Sequence, residues 1–132
     1  MRGVRRVALA IPVISVIDDD ASVRAAADNF LSSLGYAVHT FASAEDFLQS
    51  ARLDDSSCVV ADVQMPGMSG LDLLKTIRSR GNDTPLIFIT AFPDDSVRTR
   101  AAKAGADVLL EKPFSPSVLI DCIKAALTRG RP

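Results

Sequence analysis

The chain has 132 residues and a mass of 14.0 kDa, room for one folded domain, and 48% hydrophobic residues supply it with a core. Fifteen Lys and Arg against 16 Asp and Glu leave a net charge of −1 and a pI near 5.7, which argues against a chain built to coat nucleic acid. Cys58 and Cys122 lie far apart without partners at metal-ligand spacing, so neither a disulfide framework nor a zinc site is expected, and both read as reduced core thiols.

Arg2, Arg5 and Arg6 precede an apolar run from Val7 to Ile17, which loosely copies a secretory leader. The run contains Pro12, ends on Asp18, Asp19 and Asp20 without a small-residue cleavage site, and is too short to span a bilayer. It reads instead as a buried strand, Val13 to Ile17, entering a polar site in a cytoplasmic protein. Residues 1–11 are then an N-terminal extension without an assigned role.

Val23, Ala26, Ala27, Phe30, Leu31 and Leu34 recur at three- and four-residue intervals and predict a first helix closed by Gly35. A second strand is expected over Tyr36–Phe41. A short second helix follows, capped by Ser43, with Glu45 and Asp46 in its first turn and Phe47 and Leu48 facing inward. The third strand covers Cys58–Ala61, and Ser69 opens a third helix carrying Leu71, Leu73, Leu74 and Ile77. Leu86–Ile89 is the fourth strand, Asp95–Ala104 an Ala-rich fourth helix ending at Gly105, and Asp107–Leu110 the fifth strand. A fifth helix starts at Ser115, carries Val118, Leu119, Cys122, Ile123, Ala126 and Leu127, and is expected to close the domain near residue 129. Strands that are continuously apolar rather than alternating are buried on both faces, so the order (βα)₅ predicts an α/β domain with a parallel sheet covered by helices.

In such a sheet ligands sit beyond the carboxyl ends of the strands. The first strand ends on Asp18 and Asp19, the third on Asp62, the fourth on Thr90 and the fifth on Glu111 and Lys112. Crowded carboxylates are costly to ionise together without a cation, and oxygen ligands without His or Cys point to a hard ion that keeps its waters, Mg²⁺. Lys112 and Thr90 add the positive charge and hydroxyl donor that a phosphoryl group needs. Asp20 is explained by N-capping alone. His39 lies on the second strand away from this edge and reads as a structural imidazole, and Arg98, Arg100 and Lys103 of the fourth helix as a solvated face.

The segments Ile17-Asp18-Asp19-Asp20, Ala61-Asp62 through Gly70, Ile89-Thr90-Ala91 and Glu111-Lys112-Pro113-Phe114 resemble the receiver domain of bacterial two-component response regulators, a CheY-like superfamily, over residues 12–129. The spacings of 43 residues from Asp19 to Asp62, 28 to Thr90 and 22 to Lys112 agree with it. The run Ser43 to Leu48 together with Glu111 to Phe114 looks most like receivers of the FixJ type. The resemblance implies a five-stranded parallel sheet in the flavodoxin-like order 2-1-3-4-5. It implies Asp62 as phosphoacceptor, with Asp19, Asp62 and the Gln64 backbone carbonyl as Mg²⁺ ligands and Asp18 supporting them. Thr90, the Ala91 backbone and Lys112 are implied to bind the phosphoryl oxygens, with Lys112-Pro113 a cis peptide. One departure stands out: the family's inward-turning Tyr or Phe, three residues before the lysine, is Leu109 here, so the Thr90 switch lacks its ring. Phe92 occupies a position that in the family tunes access of water to the acyl phosphate.

The reading is therefore a regulatory phosphoacceptor and not an enzyme, beyond taking phosphate from small donors and releasing it. A histidine kinase or phosphotransfer protein is the expected donor and a downstream protein the output, with the helix 4–strand 5–helix 5 face available for a homodimer. A stand-alone regulator that touches neither nucleic acid nor membrane is favoured. The alternatives are the receiver portion of a longer DNA-binding transcriptional regulator, or a degenerate receiver that only binds protein. A different flavodoxin-like enzyme is disfavoured, since no Gly-rich phosphate loop follows the first strand.

Overall fold

Apolar runs too short for helices and too continuous for a half-exposed sheet leave the chain one economical arrangement, a central sheet with helices on both sides. The computed structural model describes residues 11–129. In chain order these form β1 (Val13–Ile17), α1 (Ala21–Ser33), β2 (Ala37–Phe41), α2 (Ala44–Gln49), β3 (Cys58–Asp62), α3 (Gly70–Ser79), β4 (Leu86–Thr90), α4 (Asp95–Ala104), β5 (Val108–Glu111) and α5 (Pro116–Arg129). The strands pair in parallel in the order β2-β1-β3-β4-β5, the topology the resemblance implies. Among the described residues no helix is long and apolar enough to cross a membrane.

Every residue of β3 and β4 is buried, whereas the edge strands β2 and β5 are mostly half-buried. Alternate side chains feed two separate cores. Val59, Ala61, Leu86 and Phe88 pack with Phe47 of α2, Leu73, Leu74 and Ile77 of α3, and Val97 and Ala101 of α4. Ile14, Val16, Val60, Ile87 and Ile89 face Leu31 of α1 and Leu119, Ile123 and Ala126 of α5. Each such large side chain contributes about 1.5–3 kcal/mol on burial. Cys58 is buried in the second core and Cys122 packs half-buried against it.

Caps fix where the helices begin. Side-chain oxygens of Asp20, Ser43, Ser69 and Asp94 accept backbone N–H groups in the first turns of α1, α2, α3 and α4, the last unmarked in the sequence reading. At the end of α1, Gly35 takes φ +94° while its N–H and that of Tyr36 donate to Ser32 and Leu31. That closure uses the Tyr36 amide, which is why β2 begins one residue later than its apolar pattern. β3 and β4 each run one residue further than their apolar stretches and include Asp62 and Thr90, because the Val63 N–H still donates to the Ile89 carbonyl at 3.0 Å and holds the ladder together. β5 is shifted one residue along the chain, since Asp107 turns its carboxylate back to accept the Leu86 N–H at 3.1 Å.

Candidate functional site

Parallel strands all end on the same edge, and here that edge gathers Asp18 and Asp19 after β1, Asp62 at the end of β3, Thr90 at the end of β4 and Lys112 after β5. Asp18 and Thr90 are wholly buried, Asp62 is 7% exposed and Asp19 is exposed. One carboxylate oxygen from each of Asp18, Asp19 and Asp62 lies within 4.8 Å of the others.

The Lys112 ammonium bridges the two buried carboxylates, 3.1 Å from Asp62 Oδ2 and 3.4 Å from Asp18 Oδ2. The cis Lys112-Pro113 bond follows directly, and the Lys112 N–H donates to the Thr90 carbonyl at 2.7 Å, docking this turn on β4. The other Asp18 oxygen accepts the Asp20 N–H at 2.9 Å, and Asp62 Oδ1 accepts the Gln64 N–H at 3.1 Å. Arg24 of α1 donates to the Asp18 carbonyl at 2.7 Å, an anchor that no sequence signal announced. Burial holds the Asp18 carboxyl above its ordinary pKa, against the opposing pull of the Asp20 amide and Lys112. Burial also pulls the Lys112 ammonium down, but its hydrogen bond to Asp62 and the charges of Asp18 and Asp62 outweigh this and leave it above its ordinary value.

Three carboxylates share the Lys112 ammonium, which leaves two negative charges for a cation to balance. Oxygen-only donors with an exposed face at Asp19 suit a hard divalent ion that keeps part of its water shell, which is the chemistry of Mg²⁺. Gly70 explains how closely α3 approaches this edge. A Cβ there would collide with the Asp62 carbonyl, and would sit 2.9 Å from the Phe88 ring and 3.1 Å from the Val63 Cα. Only a glycine lets α3 pack directly behind the β3 end.

With that geometry in view, the comparison with known families is decisive: the family model for the response regulator receiver domain matches residues 14–124. The chain belongs to the response regulator receiver family. Nodulation protein W of Bradyrhizobium diazoefficiens is 40% identical over 119 residues, which are 90% of this chain and 52% of that protein. The transcriptional regulatory protein FixJ of Azorhizobium caulinodans is 41% identical over 117 residues, 89% of this chain and 56% of that one. The chain thus spans about half the length of the curated relatives it matches. Among solved structures, FixJ-N gives a TM-score of 0.81 at 34% identity, covering 91% of this chain and 96% of its own. The chemotaxis protein CheY4 of Vibrio cholerae gives 0.82 at 27% identity, covering 89% and 99%.

Within this receiver the sequence-derived edge residues Asp18, Asp19, Asp62, Thr90 and Lys112 cluster as expected, but Glu111 does not. Its exposed side chain turns toward α4 and meets Arg98 at 4.0 Å, because neighbouring residues at a strand end point to opposite faces. Asp20 does cap α1, accepting from Ser22 and Val23 at 2.8 and 3.3 Å. His39 pairs in register with Ser15, two positions below the strand end. Leu109 packs half-buried against the α2–α4 core and lines a shallow groove with Arg98, Ala101 and Ala102. Phe92 is 69% exposed beside Thr90. The Gln64 side chain, for which the sequence suggested no role, accepts the Thr90 hydroxyl proton at 3.0 Å.

Proposed function

We propose that this receiver is a phosphorylation switch in which Asp62 accepts a phosphoryl group from a histidine kinase or phosphotransfer protein. The observation that carries the reading is the Lys112 ammonium held between the buried Asp18 and Asp62 at the mouth of the sheet edge. An Asp62 oxygen forms the new P–O bond as the donor's P–N bond breaks, and the bonding pair stays with the departing imidazole, which takes up a proton. With acetyl phosphate as donor a P–O bond breaks and acetate leaves. Lys112 then moves its charge from two carboxylates to the phosphoryl oxygens, the Ala91 N–H and the Thr90 hydroxyl donate to them, and Asp18 keeps Lys112 in reach. Asp19, Asp62 and the Gln64 carbonyl would hold Mg²⁺, with Asp18 behind them. Bound there, the ion supplies positive charge against the charge that develops on the transferring group.

Phosphorylation adds about −1.5 to −2 charge units, and Thr90 and Leu109 relay it to the face formed by α4, β5 and α5, where a protein partner or a second copy binds. Leu109 has no ring to turn inward, so the relay works through its packing against the core that includes Val97 and Ala101 of α4. The receiver is assigned to residues 12–129, with 1–11 as an extension; of these, 1–10 lie outside the described residues. We place it in the cytoplasm, acting through protein contacts and without nucleic-acid contacts of its own. A single-domain regulator that works through protein contacts is the first reading. The 52–56% coverage of Nodulation protein W and FixJ favours the second reading, a receiver joined to a DNA-binding output. The full reading frame of the gene separates the two.

The test is intact-mass measurement after incubation with acetyl phosphate and Mg²⁺. One added phosphoryl group is expected for the native chain and none for Asp62→Asn or after chelation. Equal uptake by Asp62→Asn would move the acceptor elsewhere, and no uptake by the native chain would leave a binding module.

A further inference from the structure

A threonine hydroxyl has one proton to donate. In this receiver Thr90 Oγ1 accepts the Phe92 N–H at 3.0 Å and gives its proton to Gln64 Oε1, also at 3.0 Å. The hydroxyl is buried and committed on both sides. It cannot donate to a phosphoryl oxygen on Asp62 while Gln64 holds it. Gln64 is placed for this by its backbone, two residues beyond the acceptor, with its N–H on Asp62 Oδ1 at 3.1 Å. The loop that follows is pinned by Glu45 of α2, whose carboxylate accepts the Met68 N–H at 3.0 Å next to Gly67, whose φ is +77°. One residue therefore touches the acceptor through its main chain and the switch hydroxyl through its side chain.

We propose that Gln64 is a positioning residue that latches Thr90 in the unphosphorylated state. The inference rests on the acceptor role proposed for Asp62, because the latch meets a competitor only when a phosphoryl group arrives there. A hydrogen bond to an anionic oxygen is roughly twice as strong as one to a neutral amide oxygen, so the phosphoryl group wins the Thr90 proton. Gln64 is exposed, and water satisfies its amide once released. The difference between the two acceptors, rather than the full strength of the new bond, then sets how far the switch moves.

The experiment is a titration with beryllofluoride in Mg²⁺, a stable stand-in for the phosphoryl group, followed by the NMR shifts of the Phe92 amide and of the methyl groups of residue 90. Native chain, Gln64→Met, Thr90→Val and the double variant are compared, and uptake from acetyl phosphate is measured by mass on the same samples. Methionine keeps the length of the side chain but removes the strong acceptor. Gln64→Met is expected to tighten apparent beryllofluoride binding by about two- to tenfold, the worth of one released hydrogen bond. The same substitution is expected to change nothing in the Thr90→Val background, where there is no proton to hold. Phosphoryl uptake with unchanged beryllofluoride affinity in Gln64→Met overturns the latch alone, as does an effect that persists without the Thr90 hydroxyl. A native chain that neither takes up phosphate nor binds beryllofluoride overturns the acceptor role and the latch with it.

Discussion

Replacing Gly70 by alanine probes the tightest packing contact behind the acceptor. The added methyl would collide with the Asp62 carbonyl and crowd Phe88 and Val63, and two of those three neighbours are main-chain atoms that cannot rotate aside. Overpacking of this kind costs about 1–3 kcal/mol, and the rigid neighbours place this site at the upper end. Alanine recovers at most about 1 kcal/mol through helix preference, which leaves a net loss of about 2 kcal/mol. At roughly 2.1 cal/mol/K per residue, a 132-residue chain unfolds with an entropy near 0.28 kcal/mol/K, so Tm is expected to fall by about 7 °C. Differential scanning calorimetry measures this directly, and phosphoryl uptake should fall as well, because relief of the clash pushes the β3 end away from Lys112. An unchanged or raised Tm would show that the helix–strand contact has room for the methyl, since the unfolded-state entropy of Gly→Ala alone is stabilising.

Asp18→Asn tests the electrostatics without added cation: a carboxyl raised by burial makes its ionisation oppose folding, so the stability it contributes is complete below its ordinary value of 3.8 and is lost as pH rises through the folded-state value. Urea midpoints measured across that window in a chelator should show this downward contribution in the native chain and not in the variant. MgCl₂ should raise Tm beyond the effect of NaCl at matched ionic strength, by an amount that grows with the logarithm of concentration, and Asp19→Asn should remove most of the rise; an equal rise in both would take Asp19 out of the cation site. Ser69→Ala removes the side-chain oxygen that accepts the Asp72 N–H at 3.1 Å and should cost about 1 kcal/mol in urea denaturation.

The edge was legible because strands that are almost wholly apolar end abruptly on Asp18, Asp62, Thr90 and Lys112, and parallel topology then forces those ends together. The parts that stayed hidden depend on direction rather than position. Glu111 and Lys112 are adjacent in sequence, yet one turns to Arg98 and the other into the site. Gln64 was assigned through its main chain alone; where its side chain goes is set by the loop from Val63 to Ser69, whose path depends on Glu45 of a different helix. Gly70 stood inside a recognised motif, but the reason for it is a contact with the back of β3 that no local pattern encodes.

If Asp62 itself carries the phosphoryl group, its acyl phosphate can be trapped chemically. Treating the acetyl-phosphate-labelled chain with borohydride reduces an acyl phosphate at aspartate to the homoserine alcohol, and peptide sequencing by mass spectrometry locates it. Homoserine is expected at position 62 and nowhere else. Homoserine at position 18 or 19, or a label that resists borohydride and maps to a hydroxyl or histidine, would contradict it.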